Sequence, residues 1–165
     1  MSRRRRSKIR SAQGFSLLET LIASSVLAFA VAAVSQSIVA GQMQTYEALH
    51  ELRATSLAEA MLEEVLSKPY NDPDGVTTGE VGRSTWDDIV DFNGYSEDAG
   101  TVADVAGVTY PSAYSEFSRS IAVANGTLTI PGFDQAVSGK NVTITVTDTK
   151  GKTWSVTRFV SEPAS

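Results

Sequence analysis

Along this chain the hydrophobic pattern changes period twice. From Phe15 to Ala40, 26 residues carry one formal charge, Glu19, among leucine, isoleucine, valine, phenylalanine and small residues. Beyond Ala40 the apolar positions Tyr46, Leu49, Leu52, Leu57, Ala60, Met61, Val65 and Leu66 recur near helical spacing, with Glu47, Glu51, Arg53, Glu59, Glu63 and Glu64 filling most of the remainder. No proline occurs between Phe15 and Lys68, and Gly41 is the only glycine there. The pattern predicts one helix from about Phe15 to Ser67, roughly 80 Å long at the α-helical rise. Pro69 stops it, because the residue before a proline resists the α conformation. Glu64 and Lys68 stand four apart, in the helpful order for a helical ion pair. The apolar positions keep no strict heptad, so the second half is expected to pack on the protein's own sheet rather than in a coiled coil. His50, the only histidine, falls on this helix's flank and has no cysteine or second histidine to join it in a metal site.

Pro69–Gly107 is irregular and acidic. Asn71-Asp72-Pro73-Asp74-Gly75 is a turn signal. It fails the calcium-loop spacing of an EF-hand, since with Gly75 as the invariant glycine the first ligand would be Tyr70. Ser84–Phe92 reads as a short helix, and the adjacent Asp87 and Asp88 diverge on any regular element, which is poor geometry for acid–base chemistry. Calcium at Asp72 or Asp74, or at the group Asp87, Asp88 and Asp91, is the lesser alternative to surface turns and the short helix, so no metal and no cofactor is expected. The last third alternates with period two. Phe117, Arg119, Ile121 and Val123 form one strand, Thr127–Ile130 a short one, and Val142, Ile144 and Val146 another with a threonine-rich outer face. Trp154, Val156, Arg158 and Val160 return beyond Asp148-Thr149-Lys150-Gly151-Lys152 as the second arm of a hairpin. The expected fold class is α+β: a long N-terminal helix, its first half apolar, packed through its second half on a C-terminal antiparallel sheet with one wet face.

Charge alters this picture at the N-terminus. Six of the fourteen basic residues lie in Met1–Gly14 and none of the nineteen acidic ones does, so Phe15–Ser165 holds eight basic against nineteen acidic residues, a net −11. Such a body is unsuited to nucleic acid, which needs clustered Lys and Arg. A basic stub directly before an apolar run is a topology signal that keeps the N-terminus in the cytoplasm and sends Gly41 and the rest outside. The absence of cysteine excludes disulfides, cysteine-based metal sites and thiol nucleophiles. No Gly-x-Ser-x-Gly nucleophile motif, metal-ligand cluster or phosphate-binding glycine loop is present, so no enzymatic role is expected.

About 20 apolar residues span a bilayer core as a helix. A secretory signal peptide shares the basic and apolar regions, and Ala28, Ala30 and Ala32 offer formal cleavage patterns for one. Glu19 is the anomaly, because a carboxylate inside an apolar segment costs on the order of a few kcal/mol unless it is paired or reaches the interface. Neither a signal peptide nor a plain anchor has a use for it.

Gly14-Phe15-Ser16-Leu17-Leu18-Glu19-Thr20-Leu21-Ile22-Ala23 resembles the processing site of bacterial type IV prepilins and type II secretion pseudopilins. The resemblance implies a membrane peptidase that cuts after Gly14 and N-methylates the new terminus, Phe15, leaving Glu19 as the fifth residue of the mature chain. It implies four segments: a leader over 1–14, a membrane and filament-core helix over 15–40, its amphipathic continuation over 41–67, and an extracytoplasmic head over 68–165. Ala58-Glu59-Ala60-Met61-Leu62-Glu63 and the Phe-x-Arg strand before a terminal hairpin are similar to minor pilins and minor pseudopilins. Two departures set the chain apart from major adhesive pilins: Gln36 and Ser37 stand where many carry a membrane-segment proline, and a C-terminal disulfide loop is impossible. The implied partners are a prepilin peptidase/methylase, other pilin or pseudopilin subunits and the inner membrane. The family's function would be structural, in a type IV pilus or a secretion pseudopilus. The alternatives are a membrane-anchored extracytoplasmic binding protein and a DNA-uptake pilus component, the latter opposed by the acidic body.

Overall fold

The structure, a computed structural model, describes residues 16–75, 80, 82–132 and 136–163. A helix, α1, covers Leu17–Leu66 and ends just short of Pro69, as the sequence predicts. Among the described residues four antiparallel strands follow: β1 (Ser96–Glu97), β2 (Phe117–Thr129), β3 (Ala136–Asp148) and β4 (Thr153–Ser161), paired in the order β1-β2-β3-β4. The class is α+β. The chain divides into two compact units, Met1–Tyr46 and Glu47–Ser165.

In the first unit every described residue is exposed, including Leu17, Phe29 and Val34. The apolar stretch of α1 is long and apolar enough to cross a membrane.

The second unit holds the hydrophobic core. Ala54, Leu57, Ala58, Met61, Leu62 and Val65 make the buried face of α1 and meet Phe117, Ile121, Val142, Ile144 and Val146 of the sheet. Their spacing is the i, i+3, i+4, i+7 stripe of an amphipathic helix. It differs from the expected stripe, because Tyr46, Leu49, Leu52 and Leu66 are exposed. The helix meets the sheet through two alanines, whose small side chains let the backbones approach, and the bulky Leu49 and Leu52 are left on the outer side. Ile89, Phe92 and Val102 of the connecting segment close the core.

The sheet follows its alternation. Val142, Ile144 and Val146 are buried between half-buried threonines. Those threonines bond across to β4, with Thr143 and Thr157 hydroxyls 3.0 Å apart and Thr145 and Ser155 hydroxyls 3.1 Å apart. β3 and β4 form the expected hairpin, Thr147 opposite Thr153. Thr127–Ile130, expected as a separate short strand, instead extends β2 as far as Thr129, which pairs with Ala136 of β3.

Ser84–Phe92 is not a helix: among the described residues the segment is a run of turns. The cause is side-chain competition for the backbone. Asp88 Oδ1 accepts the N–H groups of Val90 and, at 3.1 Å, Asp91, and Asp91 Oδ2 accepts those of Asp87 and Asp88, both at 3.1 Å. Two carboxylates thus take donors that a helix would have spent on its own carbonyls.

Candidate functional site

Ser16 opens α1. Its hydroxyl accepts the Leu18 N–H at 3.3 Å and its carbonyl the Thr20 N–H at 3.1 Å, the arrangement of an N-cap. Glu19 therefore lies in the first helical turn, where the helix dipole favours a negative charge. Its carboxylate is exposed and, among the described residues, forms no ion pair. Gly14 and Phe15, the expected cleavage and methylation positions, lie outside the described residues.

The hydroxyls of the apolar stretch turn inward on their own helix. Thr20 donates to the Leu17 carbonyl, Ser24 and Ser25 to that of Leu21, Ser37 to that of Ala33 and Thr45 to that of Gly41, at 2.8–3.0 Å. Each donor is satisfied without water, which is what a helix in hydrocarbon requires of its polar atoms. Glu19 is the one formally charged group of this stretch.

In the second unit, a network of two arginines and two glutamates fastens the connecting segment to α1 and the sheet. Arg119, 2% exposed, donates from Nε to Glu97 Oε2 at 2.7 Å and from Nη1 and Nη2 to the carbonyls of Leu57 and Ala103 at 3.2 and 2.8 Å. Arg83 holds Glu64 bidentately, and its Nη1 reaches Glu97 Oε1 and the Ala103 carbonyl at 3.1 and 3.0 Å. The Tyr95 hydroxyl adds a 3.1 Å bond to Glu97 Oε1. Burial, then the Glu97 charge, raises the Tyr95 pKa. Glu64 is therefore spent on Arg83 and not on Lys68, whose ammonium donates to the Trp86 carbonyl at 2.6 Å. The expected helical pair does not form, because a planar guanidinium offers the carboxylate two parallel bonds and a lysine one. Sequence reading placed Arg119 on a strand but missed Arg83 and Glu97 as its company. One signal was available: Arg119 stands between Phe117 and Ile121 at a core-facing position of β2, and a buried cation demands a carboxylate.

His50 is a structural residue in this setting. Its Nε2 lies 3.1 Å from Asp148 Oδ2, and its ring rests on Phe117 and Trp154 at centroid distances of 4.5 and 5.6 Å. Asp148 Oδ1 accepts the N–H groups of Lys150 and Lys152, both at 2.9 Å, and so shapes the β3–β4 turn. Burial alone would raise the Asp148 carboxyl. The Lys152 N–H, the His50 ring and the Lys150 N–H outweigh it and hold the pKa below the ordinary value of 3.8. A carboxylate with a depressed folded pKa stabilises above its unfolded pKa and loses that contribution as pH falls through the folded value. Asp148→Asn is thus expected to lower the thermal midpoint by roughly 5 °C at pH 7, with the two proteins converging at an acid pH below the folded pKa. Thermal scans at both pH values check this.

The carboxylates of the connecting segment gather more closely than their separate turns suggest. Oxygens of Asp72, Asp74 and Asp87 lie within 4.8 Å of one another, and so do those of Glu80, Asp87 and Asp91. Asp88, grouped with Asp87 and Asp91 on sequence grounds, instead caps backbone N–H groups. Comparisons with protein-family models, with characterised proteins and with solved structures return no match for this chain.

Proposed function

We propose that this chain is a structural subunit, minor rather than major, of a type IV pilus or a type II secretion pseudopilus. In this reading a prepilin peptidase cuts after Gly14 on the cytoplasmic side and methylates Phe15. The apolar part of α1 holds the precursor in the inner membrane with its head outside, and later joins the helical core of a filament. The observation that carries the proposal is the lone Glu19 in the first turn of α1, whose apolar first part is wholly exposed.

Cleavage at Gly14 would release an α-amine at Phe15, four residues before Glu19. When helices stagger side by side, the amine of one subunit can meet Glu19 of another. Two opposite charges about 4 Å apart attract by roughly 4 kcal/mol at an effective dielectric near 20, and pairing lowers the cost of burying both. The hydroxyls of Thr20, Ser24, Ser25 and Ser37, closed onto their own helix, leave most of the surface apolar and suited first to lipid, then to other helices. The arginine–glutamate network and the core of the second unit give the head a fixed shape to present outward.

The proposal is tested on the intact mass of the chain taken from membranes of cells with and without a prepilin peptidase. With the enzyme, the chain should lose residues 1–14 and gain one methyl group. A cut inside or after the apolar stretch, near Ala28 to Ala32, would assign it to a secretory signal peptide instead.

A further inference from the structure

β4 ends the sheet: among the described residues it pairs with β3 alone. The Asp148 N–H donates to the Lys152 carbonyl at 3.0 Å and the Glu162 N–H to the Ser138 carbonyl at 2.9 Å, at the two ends of one unbroken register. Between them the residues of an antiparallel ladder alternate in direction. Trp154, Val156, Arg158 and Val160 therefore turn their N–H and C=O groups to β3. Thr153, Ser155, Thr157, Phe159 and Ser161 turn theirs to the open edge. All of these but the half-buried Phe159 are exposed, and among the described residues no partner meets their backbone groups.

The opposite edge is covered as far as Val123. Ile121 donates to the Tyr95 carbonyl, its own carbonyl accepts the Gly94 N–H, and Asn93 Oδ1 accepts the Val123 N–H at 2.9 Å. Open edges are usually blunted by shortness, a proline, a bulge or a charge. β4 runs for 9 residues with no proline and no bulge. Its one guard is Arg158, exposed and opposite Val142, hence on the core-facing side of the sheet. Among the described residues Arg158 forms no ion pair.

Charge defines what can sit there. Lys150, Lys152 and Arg158 give the stretch from Lys150 to Ser161 three basic residues and no acidic one, on a body of net −11. Trp154, Val156 and Val160, half-buried against the core, lie on the same side as Arg158. An added strand would place apolar side chains beside those three and a carboxylate beside Arg158, where a cation would be repelled. Antiparallel pairing with β4 of a second copy would point the two α1 helices in opposite directions, so copies anchored in one membrane cannot meet that way.

We infer that the open edge of β4 takes an added strand from an acidic, extended segment of a partner polypeptide. Main-chain hydrogen bonds to the odd-numbered residues Thr153–Ser161 supply the attachment, and Arg158 selects the partner. The inference stands apart from the filament reading, since it rests on the second unit alone.

The test is fluorescence anisotropy of a labelled, end-capped peptide as long as β4, titrated with the full chain in detergent. The peptide alternates threonine and valine, with glutamate replacing its two middle valines. Saturable binding is expected, at least tenfold tighter than for the same peptide with lysine in place of glutamate, and weaker as salt rises. In amide hydrogen exchange followed by NMR, the bound peptide should slow Thr153, Ser155, Thr157, Phe159 and Ser161 and leave Trp154, Val156, Arg158 and Val160 unchanged. Arg158→Glu should lose at least tenfold toward the glutamate peptide and gain toward the lysine peptide, a reversal that loss of folding cannot produce. Thr157→Pro removes an N–H that the fold does not use and should weaken binding at least tenfold. Circular dichroism establishes that it is folded, and Ser155→Pro replaces it should it not be. No saturable binding by the wild-type chain, undiminished binding by the folded proline variant, or protection that ignores the alternation overturns the inference. So does a dimer of the chain without peptide that the proline variant abolishes, because the edge would then belong to a second copy.

Discussion

Replacing Arg119 with alanine is expected to lower the stability of the head by about 3–5 kcal/mol, the usual cost of removing one partner from a buried ion pair. The guanidinium does four things at once. It neutralises Glu97, itself 7% exposed, and bonds the carbonyls of Ala103 in the connecting segment and Leu57 in α1. It also occupies a core-facing position of β2 between Phe117 and Ile121. Truncation leaves Glu97 buried with Arg83 as its remaining cation, opens a cavity where the long side chain lay, and takes one donor each from the Leu57 and Ala103 carbonyls, the latter keeping Arg83. Arg119→Lys should recover only part of the loss, since an ammonium cannot span the carboxylate and both carbonyls with one planar fork. Glu97→Gln should cost a comparable amount, because Arg83 keeps Glu64 as its partner but Arg119, 2% exposed, is left without a carboxylate. Urea unfolding followed by fluorescence reads the effect cleanly, as both tryptophans, Trp86 and Trp154, belong to the second unit. A lower midpoint at unchanged slope is expected. An Arg119→Ala protein as stable as wild type would mean that the network does not hold the head together.

Glu19→Ala is expected to leave the head, membrane insertion and cleavage at Gly14 intact, yet to reduce entry into filaments more than tenfold. The head should not notice, because Glu19 lies in the first unit and the core in the second. Insertion should if anything improve with one charge fewer in the apolar stretch. Assembly should fail because each added subunit would bury an unanswered amine. A net loss of only about 1.4 kcal/mol per contact is a tenfold change in its equilibrium, well under the roughly 4 kcal/mol of attraction at stake. Glu19→Gln separates charge from shape and should fail as Glu19→Ala does. Immunoblots of whole-cell, membrane and sheared fractions distinguish the outcomes. Normal entry of either variant would remove the proposed role of Glu19.

Much of the fold was legible because it is local. Val142, Ile144 and Val146 declare an inward face by simple alternation, Gly151 marks the turn to β4, and Pro69 marks the end of α1. What escaped is what depends on partners far along the chain. Arg119 bonds to Leu57 across 62 residues and Arg83 to Glu64 across 19, and no window of sequence contains both ends. The reading of Ser84–Phe92 as a helix failed for a local reason, since Asp88 and Asp91 sit where their carboxylates cap backbone donors. The acidic cluster was half legible: Asp72, Asp74, Asp87 and Asp91 were noticed as separate turns, but Glu80 was not, and only folding brings the turns together. At the N-terminus the Gly14-Phe15 junction rests on its motif alone, whereas Glu19 also has a described place in the first turn of α1.

The most direct measurement of the central proposal is mass spectrometry of surface filaments sheared from cells that make the wild-type chain. Those filaments are expected to contain the chain as a minor component, beginning at an N-methylated Phe15 and retaining the whole apolar helix. A chain confined to the membrane with residues 1–14 still attached, or one released without its apolar stretch, would contradict it.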